Sequence, residues 1–362
     1  MKKIGKEVLF LEAKGDNPRN GEGSFLRIDE NTIMYAYTKY EGEDWNDHCP
    51  ADICALYSYD DGESWQDEKM IVKHDSTNVM SASCLRFGNG DIGVFYLKKE
   101  HATCSCIMYL VRSTDNGKTW SEPIRCINED RYFVIKNDRV IMLQNGRILI
   151  PANCHPLNDN PPIPGKFNIN NVATLNIFAS DDDGYSWYKL SGGIEMPEKE
   201  SGSGLQESGL FQRESGEIVA WSRTDMGFQY ECVSCDDGKT WSTPHPKKFF
   251  TSPLSPMSMK KVCGDKVVAI FNPTPSYTAR ELADPRTWGR TPYVCAVSGD
   301  DGCKFDKIFC LEDDETNGYC YDAIFDGGDY ILVAYYHSNN SVGCLNSNKM
   351  IKIVKEELEL SE

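Results

Sequence analysis

The chain has 362 residues, with 38 Lys or Arg against 55 Asp or Glu, and so carries a net charge of −17. A field of that sign repels nucleic acid and anionic membrane surfaces, which removes both as expected partners. With 40% apolar, 11% aromatic and 26% charged residues, the composition suits a folded globular chain rather than a disordered one.

At the N-terminus the positively charged start is followed by only four apolar residues, Val8 to Leu11, before Glu12 interrupts. No signal peptide is expected there, and no later stretch reaches the roughly 18 apolar residues of a spanning helix. The fifteen cysteines are odd in number and scattered singly through apolar segments, which favours free thiols in a reducing compartment; a cytoplasmic location is the expectation. Cys232 and Cys235 form one C-x-x-C without a second pair, so they are read as small residues beside a hairpin and no metal site is assigned.

Going along the chain, the apolar run Ala51 to Tyr57 leads into the octapeptide SYDDGESW, Ser58 to Trp65. Its pattern, Ser-x-Asp-x-Gly-x-x-Trp, returns as Ser113 to Trp120, Ser180 to Trp187 and Ser234 to Trp241, with a worn copy ending in Phe at Ser298 to Phe305. Asp and Gly supply a tight turn, and the aromatic is expected to pack the hairpin against the next sheet. Between copies a second hairpin is expected, as in Leu85 to Val94, Met142 to Ile150 and Phe211 to Ala220, each an apolar run, a Gly-containing turn and another apolar run. Successive copies begin 55, 67, 54 and 64 residues apart, so the chain holds six periods of two hairpins each. Six four-stranded antiparallel sheets arranged radially make an all-β, six-bladed β-propeller, read as one domain over residues 1–362. Strands around Tyr330 to Tyr336 are expected to share the sixth sheet with one from the N-terminus. The Pro-rich segment His155 to Gly165 is read as a rigid rim loop. The tail Lys352 to Leu360 reads equally as a last strand or a short helix.

The octapeptide resembles the Asp box of the sialidases (neuraminidases), and the resemblance covers nearly the whole chain. It implies an exo-acting, retaining glycosidase that holds a substrate carboxylate with three Arg and uses no cofactor or metal. Arg19 in Asn-Pro-Arg-Asn, Arg223 in Trp-Ser-Arg-Thr-Asp and Arg290 in Gly-Arg-Thr-Pro-Tyr are similar to that triad, and planar guanidinium forks suit the task. Glu207, sixteen residues before Arg223, resembles the family's Glu. A Tyr is the family's nucleophile, for which Asn-Gly-Tyr-Cys-Tyr-Asp offers Tyr319 and Tyr321, with Tyr319 favoured by the preceding Gly318. A phenol avoids the repulsion that a carboxylate nucleophile would meet from the substrate's own carboxylate, but it needs a base, the implied role of Glu207. The implied acid/base is Asp47, with Asp44 and Asp52 as competitors. The implied partner is a small acidic oligosaccharide.

Some residues depart from the family pattern. The sequence after Arg19 is Asn20-Gly21-Glu22 rather than Ile-Pro, which brings a carboxylate near the clamp. His48 beside Asp47, and Asp138, Arg139 and His155 in the third period, have no implied role. They leave room for a lyase or hydrolase acting on uronate-capped oligosaccharides, or for a glycan-binding propeller without activity.

Overall fold

The computed structural model describes residues 1–101, 103–159, 168–275, 281–339 and 343–359. After β1 (Lys6–Leu11) come β2 (Asn20–Asp29), β3 (Thr32–Tyr40), β4 (Ala51–Ser58) and β5 (Gln66–Val72), which form one antiparallel sheet. Next are β6 (Asn78–Arg86), β7 (Ile92–His101), β8 (Ser105–Ser113) and the short β9 (Ile124–Arg125). They share a nine-stranded sheet with β10 (Tyr132–Val134), β11 (Ile141–Met142), β12 (Ile148–His155), β13 (Thr174–Ser180) and β14 (Tyr188–Ile194). The two halves of that sheet meet at the parallel pairing of Tyr132 with Cys106.

Two further four-stranded sheets follow, β15 (Gln206–Gln212), β16 (Ile218–Arg223), β17 (Phe228–Ser234) and β18 (His245–Thr251), then β19 (Ser258–Val262), β20 (Lys266–Phe271), β21 (Tyr293–Ser298) and β22 (Lys307–Glu312). The last sheet holds β23 (Tyr319–Asp326), β24 (Tyr330–Asn339) and β25 (Gly343–Val354), with β1 as its outer strand. The N-terminus therefore completes the C-terminal sheet, as expected. The tail is both of its alternatives in turn, a strand to Val354 and then a helical turn, α1 (Lys355–Glu359), that buries Leu358. Of the expected rim loop, residues 160–167 lie outside the described residues.

Each octapeptide copy is the turn between the third and fourth strands of its group. In the first, the Gly62 amide donates to Ser58 Oγ at 2.8 Å, while Asp60 accepts from the Ser64 amide at 2.9 Å and Ser64 Oγ at 2.6 Å. The fourth and fifth positions both take left-handed backbone, Asp61 at φ 56° and Gly62 at φ 82°. This explains why the fourth position is always Asp or Asn, which tolerate that region better than other side chains.

The aromatic residues pack opposite to expectation. Trp187 meets Phe95 on β7 edge-on at 5.7 Å, and Trp120, Trp241 and Phe305 likewise join clusters shared with the sheet or half-sheet before them. The turn follows the third strand, so its aromatic folds back over the face that looks toward the preceding group.

The core is divided among these interfaces. Met34 and Ile53 pack with Val79 and Val94, Phe95 with Phe133 and Phe178, and Leu149 with Leu210 and Ile218. Phe211 packs with Val267, then Val268 with Ile324 and Val333. The circle closes where Tyr35 and Leu56 of the first sheet meet Ala323 and Leu332 of the last. Strands β2, β6, β15, β19 and β23 contact one another around the centre.

Candidate active site

Four of the central strands carry the same irregularity. Register shifts fall between Gly21 and Ser24, Met80 and Ser83, Gln206 and Gly209, and Cys320 and Ala323. Within them Glu22, Ser81, Glu207 and Tyr321 adopt left-handed backbone, with φ of 52°, 59°, 45° and 58°. A non-glycine residue there costs on the order of 1–2 kcal/mol, and a bulge re-aims its side chain. All four side chains line one central cavity of about 70 Å3, together with Asp47, Lys99 and Lys136.

On one side, Glu207 accepts from Arg223 Nη1 at 2.7 Å and from the Tyr321 hydroxyl, and Arg223 Nη1 also lies 3.3 Å from that hydroxyl. The Arg290 guanidinium lies 5.8 Å from the Tyr321 ring centre and 5.0 Å from that of Trp288. Burial raises the Glu207 carboxyl, but Arg223, the Tyr321 bond and Arg290 together hold it below its ordinary range. Burial and the Glu207 charge push the Tyr321 phenol well up. The proton therefore rests on Tyr321, pointed at an ionised carboxylate.

On the other side, Arg19 is only 1% exposed and its donors are engaged. Nε donates to the Tyr336 hydroxyl at 2.7 Å, Nη1 to Asp47 Oδ1 at 2.6 Å and the Trp45 carbonyl at 3.1 Å, and Nη2 to Glu22. The second Glu22 oxygen accepts from Ser81 Oγ. Burial raises the Glu22 carboxyl against the pull of Arg19. The departure after Arg19 has a steric reason: a Cβ at Gly21 would come within 2.3 Å of the Tyr336 ring, so only glycine lets Tyr336 reach Arg19.

Asp47 stands on the loop between β3 and β4 with its side chain 55% exposed. Its desolvation opposes ionisation, but Arg19 and Lys99 outweigh it and hold the carboxyl well below the usual range. Lys99 Nζ and Asn78 Nδ2 anchor the loop through the Asp47 carbonyl, at 2.6 and 2.9 Å. Of the competitors, Asp44 caps its own turn at the Trp45 amide and Asp52 is buried against His74 Nδ1 at 2.7 Å. Glu41, Asp52 and His74 are the one group among the described residues spaced to hold a metal ion, and they lie outside the central cavity.

The structure brings Arg19, Asp47, Glu207, Arg223 and Arg290 together, but it separates the two tyrosines. Tyr319, favoured by the sequence, is fully buried among Tyr293, Tyr335 and His337, and its hydroxyl has no partner among the described residues. Tyr321 is the tyrosine on Glu207. In the bulge Tyr321 takes the left-handed backbone and turns to the axis, whereas Tyr319 lies before it in regular pairing with His337. His48 is half-buried beside Asp47, lowered by burial and by Lys99. His155 Nδ1 lies 2.9 Å from the Asn170 carbonyl oxygen, and burial lowers this group too. Arg139 is buried outside the lining of the central cavity, bonded to the Ser258 hydroxyl that Lys136 also reaches, and Asp138 ties Ser24, Lys260 and the Ile324 amide together. Sequence reasoning missed Tyr336, Ser81, Lys99 and Lys136 as site residues; only Glu22 carried a signal, as a carboxylate three residues from Arg19.

A model of the BNR repeat-like domain matches residues 50–333. The chain belongs to that family. Solved structures of sialidases share the fold seen here. An intramolecular trans-sialidase from Ruminococcus gnavus, in complex with oseltamivir carboxylate, is similar with a TM-score of 0.73 and 13% identity over 98% of each chain. The NanB sialidase of Streptococcus pneumoniae gives 0.71 and 12% over 98% of this chain and 71% of its own. A protein of unknown function from Dyadobacter fermentans gives 0.73 and 17% over 97% and 99%. No curated protein sequence matches the chain. At these identities the likeness is one of fold. Among the described residues, no helix is long and apolar enough to cross a membrane.

Proposed function

We propose that this BNR-repeat chain is a six-bladed propeller and a retaining glycoside hydrolase of the sialidase type, acting on a terminal acidic sugar. The blade count follows from treating the nine-stranded sheet as two blades joined through the pairing of Tyr132 with Cys106. The catalytic reading rests on one observation above all, the Tyr321 hydroxyl donating to an ionised Glu207 flanked by Arg223. In the first step the phenol oxygen attacks the anomeric carbon as its proton passes to Glu207, while Asp47 protonates the departing oxygen. In the second, Asp47 takes a proton from water, which attacks the glycosyl-tyrosine, and Glu207 returns its proton to Tyr321. Two inversions give overall retention.

Arg223 and Arg290 are the proposed grip on the substrate carboxylate. Arg19 joins them only when that carboxylate displaces Asp47 from Nη1, which also releases Asp47 to take up a proton and act as the acid. With Arg19 held by Glu22 and Asp47, a second reading gains support: a lyase that uses the same Tyr321 and Glu207 to remove a proton next to a uronate carboxylate. The experiment is to offer a sialyl and a glucuronyl glycoside and identify the product. A saturated sugar released with retained configuration supports the hydrolase; a 4,5-unsaturated uronate replaces it with the lyase. Binding of either glycoside without any product would leave a glycan-binding propeller and overturn both.

A further inference from the structure

The central strands run from the front cavity to a second one. Glu22, Ser81, Glu207 and Tyr321 lie near their starts, while Phe25, Phe211 and Phe325, further along β2, β15 and β23, line a cavity of about 530 Å3 at the other mouth of the wheel. That volume falls within the range of small-molecule sites, and Trp221 and Met259 add to the apolar wall. The charges around it oppose the sign of the whole molecule. Arg27, Arg86, Arg139, Lys260 and Lys261 line it against a single carboxylate, Asp138, in a chain of net charge −17.

Three of these cations have carboxylate partners, Lys260 with Asp138, Lys261 with Glu214 and Arg27 with Asp61. Arg86 donates instead to the carbonyls of Gly90, Arg27 and Ile28, at 2.7, 3.0 and 2.8 Å, which engages both terminal nitrogens without cancelling its charge. Arg139, residue-wide only 2% exposed, donates to Ser258 Oγ at 2.9 Å and to the Met257 carbonyl, stacks over Trp221, and leaves Nε without an acceptor. Asp322 and Asp138 act on the Arg139 charge from nearby, but among the described residues neither makes an ion pair with it, and a buried guanidinium without one is expensive; its usual compensation is an anion.

We propose that this rear cavity is a second ligand site, for an amphipathic anion: a flat apolar body between the Phe side chains and Trp221, with one carboxylate or sulfonate toward Arg139 and Lys260. The proposal does not depend on the chemistry of the front cavity. The probes are 8-anilinonaphthalene-1-sulfonate and its neutral counterpart N-phenyl-1-naphthylamine, titrated by fluorescence into the native chain. One saturable site for the sulfonate is expected, at least tenfold tighter than for the neutral probe. Lys260→Gln, on a half-exposed side chain, and Arg139→Met should each weaken the sulfonate at least fivefold; if the Arg139 variant does not fold, Lys260→Gln decides alone. Tyr321→Phe should leave its affinity unchanged. Equal affinity for the two probes, absence of a saturable site, unchanged binding in Lys260→Gln, or loss of binding in Tyr321→Phe would each overturn the proposal.

Discussion

Tyr319 and Tyr321 are two residues apart on one strand, yet they live in different chemical surroundings. Tyr319 has an apolar, aromatic cage; Tyr321 has an ionised acceptor and two guanidinium groups. Removing the Tyr321 hydroxyl is therefore expected to lower kcat/KM by about a thousandfold or more, since the proposed nucleophile acts as a unit with its proposed base, with little change in melting temperature. Tyr319→Phe removes a hydroxyl that bonds to none of the described residues and is expected to keep activity and to hold or slightly raise stability. Comparing the two variants in turnover and thermal melts checks both. The Glu207 carboxyl gives a pH test. Its folded-state pKa lies below the ordinary value because cations outweigh burial, so the acid limb of kcat/KM should fall below about pH 4.5. Arg223→Met removes the largest opposing cation and leaves burial in control. The acid limb of the residual activity is expected to move up by about one unit or more, read from a pH profile rather than from the rate itself. The residues that the resemblance matched, Glu207 with Arg223 and Arg290, stand close together in the structure, because they lie at the ends of strands that meet at the centre. Sequence favoured Tyr319 where the structure sets Tyr321 on Glu207, because that placement depends on a bulge, and alternation along a strand carries no sign of where a bulge begins.

At the scale of the element, the five octapeptide turns are one device built with different completeness. In the first, Asp60 accepts from the Ser58 hydroxyl and from both the amide and hydroxyl of Ser64. In the fifth, Lys304 stands where Ser or Thr supplies those donors, and no bond to the Asp300 carboxylate is made among the described residues; its backbone alone is engaged, the amide with Ser298 Oγ at 3.1 Å and the carbonyl with the Cys303 amide at 2.8 Å. Asp60→Ala is accordingly expected to cost about 1 kcal/mol, a figure kept small because the turn is solvent-exposed. Asp300→Ala should stay within about 0.5 kcal/mol. Urea unfolding of the two variants separates them, and an equal loss would mean the carboxylate is not what holds the turn. The turns were legible because their residues are forced by local backbone: two successive left-handed positions admit few residue types. The direction in which each aromatic packs was not legible, because it depends on the twist between neighbouring sheets rather than on the turn.

For the whole molecule, what needs explaining is how a chain of short-range hairpins becomes a closed ring. Each interface between neighbours is apolar, and the one between the first and last sheets joins distant parts of the chain; Val8, Leu9 and Leu11 of the N-terminal segment pack against it, and that segment acts as a clasp on the last sheet. Strand β1 pairs with β25 from Lys6 opposite Lys352 to Leu11 opposite Asn348, and Glu7 pairs with Lys349 at 3.4 Å. Just before it, the Ile4 amide donates to the Cys310 carbonyl at 3.1 Å, the Cys310 amide donates to the Lys2 carbonyl at 2.9 Å, and Ile4 is buried in the cluster between the last two sheets. Residues 2–11 thus tie the final sheet both to itself and to its neighbour. A variant lacking residues 1–12 uncovers the edge of β25, a row of unpaired backbone groups open to other chains, and forfeits the Ile4 contacts, which by analogy with large-to-small core changes are worth about 2–5 kcal/mol. Its urea midpoint should fall, and it should form concentration-dependent oligomers visible in light scattering. A synthetic peptide of residues 1–12 added in trans should restore the midpoint and dissolve the oligomers, because the clasp is held by pairing and burial and not by the covalent link to β2. A truncated chain with an unchanged midpoint would mean that the interface of Tyr35 and Leu56 with Ala323 and Leu332 holds the ring closed without the clasp.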